Sequence, residues 1–324
     1  MASQPLNEKV LMTDLRDSFI DSLIENARRD ERIIVLDADV SRTSRTRRFR
    51  DTFPDRFYDV GIAEQNLVGI AAGLAASGLI PFAVTFSIFL SLRSAEQIRT
   101  SVCYPKLPVK LIGGYAALSN AKDGATHQSV EDIAVVRSFP NLAVITPSDP
   151  VIMRGMLPAM IDHSGPVYMR LEYLNVPEIY PEGHAFQIGK GYVLRKGDDV
   201  GIISCGTATH RALKAADILA EQGIGSEVVD MSTLKPLDEV LILSTAAKTG
   251  KILCIEDHGI YGGLSEAVAG CIARNDSHCK FRSVAIQDTY TESGPFEGIT
   301  GKYHVSAGDV VETALNMLTM GRGN

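Results

Sequence analysis

The chain reads as an α/β protein built from two parallel-sheet domains, on three observations. It has 324 residues, which at roughly 150 residues per domain suggests about two. Short β-branched runs alternate with longer helical stretches, and the runs are continuously apolar, as strands covered on both faces are. A segment with two prolines and three glycines, 174–191, interrupts the alternation near the middle.

The elements follow in order. A helix is expected near 12–29, then a strand at 33–38 (IIVLDA). A helix near 62–77 leads to a strand at 81–86 (PFAVTF), and one near 90–103 to a strand at 108–112 (PVKLI). Helices near 128–138 and 149–163 precede strands at 142–146 (LAVIT) and 166–170 (PVYMR). After the interruption, strands are expected at 200–204, 226–230, 251–256 and 283–287, with helices at 208–222, 237–247, 263–274 and 307–320. The domains are therefore drawn as 8–178 and 190–324, joined near residue 185.

Composition bounds the function. Hydrophobic residues are 45% of the chain and charged residues 22%, enough apolar material for a sizeable core. Lys+Arg 32 against Asp+Glu 39 gives a net charge of −7, the wrong sign for a phosphate-backbone binder, so no nucleic-acid partner is expected. The local exception, Arg42, Arg45, Arg47, Arg48 and Arg50, reads first as a solvated loop and second as a surface for a small anion or partner. The cysteines at 103, 205, 254, 271 and 279 are odd in number and form no CxxC pair, which suits reduced thiols.

The start, MASQPLNEKV, lacks the pattern of an export signal. Residues 65–92 carry no charge and are long enough to span a bilayer. Gly69, Gly73, Gly78 and Pro81 fall within that stretch, so a buried helix, a glycine turn and a buried strand explain it better. A soluble, cytoplasmic protein with no membrane contact is expected.

Generic motifs add little. No strand is followed by GxGxxG, and neither GxxxxGK[ST] nor GxSxG occurs. Gly259, Gly262 and Gly263 before a helix suit a tight strand-to-helix turn at least as well as a phosphate cradle. Asp123 and His127 have a metal-compatible spacing but no third ligand nearby, so no metal site is expected in this chain.

Three stretches are more specific: YDVGIAEQN (58–66), TFSIFLSLRSAEQIR (85–99) and KDGATHQSVEDIA (122–134). Together they resemble the pyrimidine-binding domain of transketolases, thiamine-diphosphate enzymes that move two-carbon ketol units. LDADV (36–40), ITPSDP (145–150), MRLEY (169–173) and IEDHGIYGGLSEAV (255–268) fall in the family's order, so the resemblance covers nearly the whole chain. The family's diphosphate-binding domain, marked by GDG, has no counterpart, because the chain contains no GDG. The resemblance thus implies a pyrimidine-binding domain followed by a transketolase C-terminal domain, as one subunit of a split enzyme. The partner subunit would carry the diphosphate and Mg2+ ligands, in an α2β2 complex.

The resemblance also implies roles. Glu64 matches the glutamate that hydrogen-bonds the aminopyrimidine ring and promotes the imino form. Its place ahead of an uncharged run favours a carboxyl that shares a proton, although an acid in a first helical turn is also favoured by the dipole. Phe86 and Phe89 match an aromatic wall against the pyrimidine; unaided, they read as core residues. A further aromatic usual in the family is here Leu92. Asp39 matches an acid near the thiazolium, its alternative being a turn cap. His127 and Asp123 match residues facing the sugar, His127 with a part in proton movement and Asp123 toward the acceptor's C2 hydroxyl. Arg16 and Arg170 fall where the family binds a sugar phosphate, a role a guanidinium fork suits, and Ser44 or Thr43 is expected to add a hydroxyl.

The main departure is Tyr115, where transketolases usually carry a histidine that helps hold the phosphate. A phenol donates a hydrogen bond but is uncharged at neutral pH. The loop AALSNAKDG also replaces a glycine-rich one. The reading is therefore ketol transfer between sugar phosphates, with a shifted substrate in view. The alternatives are the β subunit of a thiamine-dependent 2-oxo-acid dehydrogenase, whose HSQ-type loop differs from DGATHQ, a 1-deoxyxylulose-5-phosphate synthase, which is a single longer chain, and a non-catalytic partner subunit.

Overall fold

A computed structural model describes residues 12–319. The expected outer bounds at 8 and 324, the MASQPLNEKV start and the end of the last helix at 320 lie outside the described residues.

The first half runs β1 (Met12–Asp14), α1 (Leu15–Arg29), β2 (Ile33–Asp37), α2 (Arg47–Thr52), β3 (Phe57–Asp59), α3 (Glu64–Ala76) and β4 (Ile80–Phe86). There follow α4 (Ala95–Gln97), β5 (Lys110–Gly114), α5 (Asp132–Arg137), β6 (Ala143–Ile145), α6 (Pro150–Asp162), β7 (Val167–Leu171) and β8 (Asn175–Pro177). The second half contains β9 (Tyr192–Arg195), β10 (Val200–Ser204), α7 (Ala208–Glu221), β11 (Ser226–Asp230), β12 (Thr233–Lys235), α8 (Glu239–Thr249), β13 (Lys251–Gly259), α9 (Leu264–Arg274), β14 (Lys280–Ile286), α10 (Phe296–Lys302) and α11 (Ala307–Thr319).

Two sheets organise these elements, so the protein is α/β with mostly parallel sheets. The seven-stranded sheet has the order β12-β6-β7-β5-β4-β2-β3 and the five-stranded sheet β14-β13-β10-β11-β9. Only the edge strands β12 and β9 pair antiparallel within them. Strands β2, β5, β7, β10 and β11 are buried at every position, and both faces of each are covered, as in parallel sheets generally.

Three details depart from the expected outline. The helix expected at 90–103 is irregular: π-helical turns at Phe89–Arg93 and Ile98–Cys103 flank the single turn of α4, a form that recurs at functional sites. The 174–191 segment is tied down rather than loose. β8 pairs antiparallel with β1, and the Asp149 carboxylate accepts the Ile179 and Tyr180 N–H groups at 2.6 and 2.9 Å while capping α6. The second half also reaches into the first sheet, since β12 pairs with β6, and one apolar core runs from Leu36, Ala83 and Val144 to Val229, Met231 and Cys254. The Arg45–Arg50 run lies against α1, with Arg45 and Arg48 paired to Asp14, Asp17 and Asp21. Among the described residues no helix is long and apolar enough to cross a membrane.

Candidate functional site

The parallel strands β2, β4, β5 and β7 end side by side: Asp37 neighbours Val84, Phe86 neighbours Gly114, and Gly114 neighbours Leu171. The loops leaving these carboxyl ends form one rim, the usual place for ligands on an open α/β sheet. On that rim stands a row of rings. Tyr173 lies 4.9 Å from Tyr115, Tyr115 5.0 Å from Phe86, and Phe86 6.1 Å from both Phe89 and His127. Phe89 meets His127 edge-on at 5.4 Å. A guanidinium closes each end: Arg16 sits 5.0 Å from the Tyr173 centroid and Arg93 4.5 Å from that of Phe89.

Glycines make the row possible. A Cβ on Gly114 would lie 2.0 Å from the Tyr173 hydroxyl, and one on Gly113 2.3 Å from that of Tyr168. Tyr115 itself has φ 56°, a left-handed conformation uncommon for an aromatic residue. Burial first, and then the Asp123 charge, push its phenol above the ordinary range, against the opposing pull of Arg16. It therefore stays a neutral donor.

Glu64 is the first residue of α3 and is 2% exposed. The carboxylate benefits from the positive end of the helix, and Arg93 donates to its Oε2 at 2.6 Å. The partner is a difference from the sequence reading, in which Glu64 had only apolar company. The other carboxylate oxygen has no hydrogen-bond partner among the described residues. A buried carboxylate with one oxygen open, linked through Arg93 to the Phe89 end of the aromatic row, fits an aminopyrimidine as an acceptor for a ring N–H. Leu92 is exposed. Among the described residues no group of three or more His, Cys, Asp or Glu could hold a metal ion.

Asp123 and His127 lie on the loop between β5 and α5. His127 is half-buried, with Nδ1 3.0 Å from the Thr126 hydroxyl, and Asp123 is exposed. The C-terminal half clasps this loop. Gln128 Nε2 donates to the carbonyls of Ala121 (3.2 Å) and Glu292 (3.1 Å), the Thr291 hydroxyl donates to Gln128 Oε1, and the Gly294 N–H donates to Ala121 at 3.0 Å. Gly124, at φ 79°, leaves room for the Ser293 hydroxyl.

The remaining expected residues divide. Arg16 is at the rim, where it donates to Asp14 from Nε and Nη2 and to the Thr43 carbonyl from Nη1 at 3.0 Å. The bond to Asp14 holds its guanidinium firmly charged. Asp39 is exposed at φ 61°, its N–H donating to Asp59. Ser44 turns inward: its hydroxyl is buried and bonds Asp37, Val40 and Thr46. Arg170 is the clearest correction. It is 1% exposed, Nε donates to both oxygens of Asp132, and Nη2 donates to the carbonyls of Ser129 and Asp257. A strand-interior arginine whose fork is spent on a buried carboxylate does not stand ready for a sugar phosphate. Burial, the largest single influence, would raise the Asp132 carboxyl, but the Arg170 and His258 charges and the hydrogen bonds from Arg170 and Ser87 together overcome it and hold it low.

Four participants escaped the sequence reading. Arg93 is the first charge after the uncharged run, a signal visible in the sequence. Tyr173 was read only as the end of a strand motif. Asp37, fully buried and bonded by Thr46, Ser44 and Val40, organises the Asp39 loop; burial pushes its carboxyl up to about 6. The Gln128–Thr291 contact has no local signature.

Comparison with known proteins bears on both halves of the chain. Residues 12–178 match the family model for the transketolase pyrimidine binding domain and residues 189–310 that for the transketolase C-terminal domain. The chain is 39% identical over 312 residues to the 6-deoxy-6-sulfo-D-fructose transketolase subunit of Clostridium sp. (strain MSTE9), covering 96% of this chain and 97% of that one. It is 41% identical over 293 residues to a putative transketolase C-terminal section of Methanocaldococcus jannaschii, covering 89% and 91%. A solved structure described as a split gene transketolase, inactive beta4 tetramer, superposes with a TM-score of 0.89 at 40% identity, covering 95% of this chain and 99% of that one. With both halves matched in order by the family models, the chain belongs to the transketolase family.

Proposed function

We propose that this chain is the pyrimidine-binding subunit of a two-chain transketolase, which moves a two-carbon ketol group from a ketose donor to an aldose acceptor. The observation that carries the reading is the buried Glu64 carboxylate at the start of α3, tied by Arg93 to the Phe89 ring, which in turn meets Phe86 and His127. Thiamine diphosphate, when bound, supplies the carbon nucleophile; the protein supplies position and proton control.

In this reading Glu64 accepts a hydrogen bond from the aminopyrimidine ring and so controls a proton there. Arg93 fixes the carboxylate, and Phe86 and Phe89 supply the apolar wall that would exclude water from the cofactor ring. Asp39 stands toward the thiazolium side. His127 holds donor hydroxyls and moves protons, and Asp123 meets the acceptor's C2 hydroxyl. Mg2+ and diphosphate ligands belong to a partner subunit, in an α2β2 assembly working in the cytoplasm, and the folding units are those drawn as 8–178 and 190–324. The solved split-gene relative is described as an inactive beta4 tetramer, which supports the expectation that this chain needs a partner. The Clostridium relative's name carries a sulfo group on its sugar, so the sugar taken by this chain need not be a common pentose phosphate.

The test is reconstitution. The purified chain with thiamine diphosphate and Mg2+ is expected to show no ketol transfer, and to gain it when its diphosphate-binding partner is added. Robust turnover by the isolated chain would overturn the split-enzyme reading.

A further inference from the structure

At the Arg16 end of the row, charge is balanced rather than positive. Asp14 takes Arg16 through Nε at 2.9 and 3.1 Å and Nη2 at 2.5 Å, and Arg45 approaches the same carboxylate at 3.7 Å. Arg45 also lies 3.7 Å from Asp17. Arg48 shares Asp17 and also takes Asp21, so three guanidiniums face three carboxylates. Asp123 adds a negative charge felt at Tyr115, and no described contact links the exposed Arg42 to this group. The second cation expected here, Arg170, is locked under the rim on Asp132.

The space is filled by tyrosine instead. Tyr173 packs between Arg16 and Tyr115, with its hydroxyl buried against Gly114 and without a hydrogen-bond partner among the described residues. Tyr115 sits above it, half-exposed and able to offer a ring face and one O–H. A phosphate monoester carries about −1.5 to −2 near neutral pH. Desolvating that charge beside Asp14 and Asp123, with no surplus cation, is unfavourable.

We infer that this end, through Tyr115 and the Asp14-matched Arg16, selects a sugar whose far terminus carries at most one negative charge, and discriminates against a terminal phosphate. Tyr115 is the specificity-determining contact, and Tyr173 and Asp14 are positioning residues that fix the ring and the guanidinium. The inference deepens the ketol-transfer reading and rests on it.

The experiment uses the reconstituted two-chain complex and compares matched ketose donors with a terminal hydroxyl, sulfonate or phosphate. β-Hydroxypyruvate, a ketol donor with no sugar terminus, serves as the control. Wild type is expected to favour the hydroxyl or sulfonate sugar over the phosphate by about tenfold or more in kcat/KM. Asp14→Asn keeps a helix-capping side chain but removes the matching charge, and is expected to shift the phosphate-to-hydroxyl ratio by about tenfold toward phosphate. Tyr115→Arg is expected to do the same, whereas loss of packing alone would lower all sugars together. Inorganic phosphate is expected not to compete with the sugar. A wild-type complex that uses the phosphorylated sugar as well as or better than the others overturns the inference, as does an Asp14→Asn ratio that does not move. Absence of turnover with β-hydroxypyruvate and every aldose instead sinks the ketol-transfer reading, and this inference with it.

Discussion

Arg93 reaches across from the irregular helix after β4 and donates to the Glu64 carboxylate at 2.6 Å, while its guanidinium carbon lies 4.5 Å from the centre of the Phe89 ring. Glu64 is almost fully buried, and Arg93 is 47% exposed. One cation thus sets two neighbours of the proposed cofactor ring, the proton-controlling acid and part of the aromatic wall. The π-helical winding at Phe89–Arg93 is what brings Phe89 and Arg93 to this place.

Glu64→Gln keeps the shape and loses the charge. A positioned acid or base typically contributes roughly 10²–10⁴-fold to rate, and a fall of that order is expected in the reconstituted complex. The helical circular dichroism signal and the melting temperature of the variant are expected to stay near wild type. Near-normal turnover by Glu64→Gln would remove Glu64 from its proposed role. Arg93→Met is expected to lower turnover less, because water at the exposed end can partly replace the guanidinium.

The fold was legible where burial is continuous. Strands β2, β10 and β13 announce themselves because both faces are covered and apolar residues follow one another. β3 (FYD), β9 (YVLR) and β12 (TLK) are only three or four residues long, and their pairing is decided by tertiary partners, so no local pattern marks them. The site was legible through motif positions, which placed Glu64, Phe86, Phe89 and His127 on the same rim. Burial was not legible. Ser44 and Arg170 have the right chemistry for a sugar phosphate, yet a strand-interior direction and a buried acid 38 residues away in sequence turn Arg170 inward.

Arg170→Met tests that reassignment. Asp132, completely buried, would lose its counter-charge, and breaking such a pair typically costs about 3–5 kcal/mol, on the order of ten degrees in Tm for a chain of this size. A variant that melts like wild type but loses affinity for a sugar phosphate would restore Arg170 to the substrate contacts. The double variant Arg170→Met, Asp132→Leu is expected to recover part of the lost stability, since no lone buried charge remains.

Asp37 gives a prediction in pH. Burial raises its folded-state carboxyl from 3.8 to about 6, so between those values the folded protein holds the proton more tightly than the unfolded chain. Stability from this group is present below about pH 4 and is lost as pH rises through about 6; the whole window is worth on the order of 3 kcal/mol. Asp37→Asn keeps the side chain's size and cannot ionise, and the Ser44 and Thr46 hydroxyls can turn to accept from its amide. Urea midpoints taken from pH 4 to pH 8 are expected to show the variant gaining on wild type as pH rises to about 6 and then a constant difference. A constant difference across the whole range would mean that Asp37 titrates alike in both states.

The clasp between the two halves supplies the last prediction. Thr291, Glu292 and Gly294 hold the loop that carries Asp123 and His127, and the key link, the Thr291 hydroxyl on the Gln128 amide, joins residues 163 apart in sequence. Both ends are buried, so removing one leaves an unsatisfied group that typically costs about 1–3 kcal/mol. Thr291→Val is close to isosteric and strips only the donor. Its cost falls on the loop's pose, so the expected signature is a rise in KM for donor and acceptor sugars with a smaller fall in kcat. Thr291→Ser restores the hydroxyl and is expected to recover both. Gly124→Ala should be worse than Thr291→Val, because it strains a φ of 79° and drives a Cβ to 2.5 Å from the Ser293 hydroxyl. If Thr291→Val left both KM values unchanged while lowering Tm, the clasp would hold the two halves together without setting the loop proposed to face the sugar.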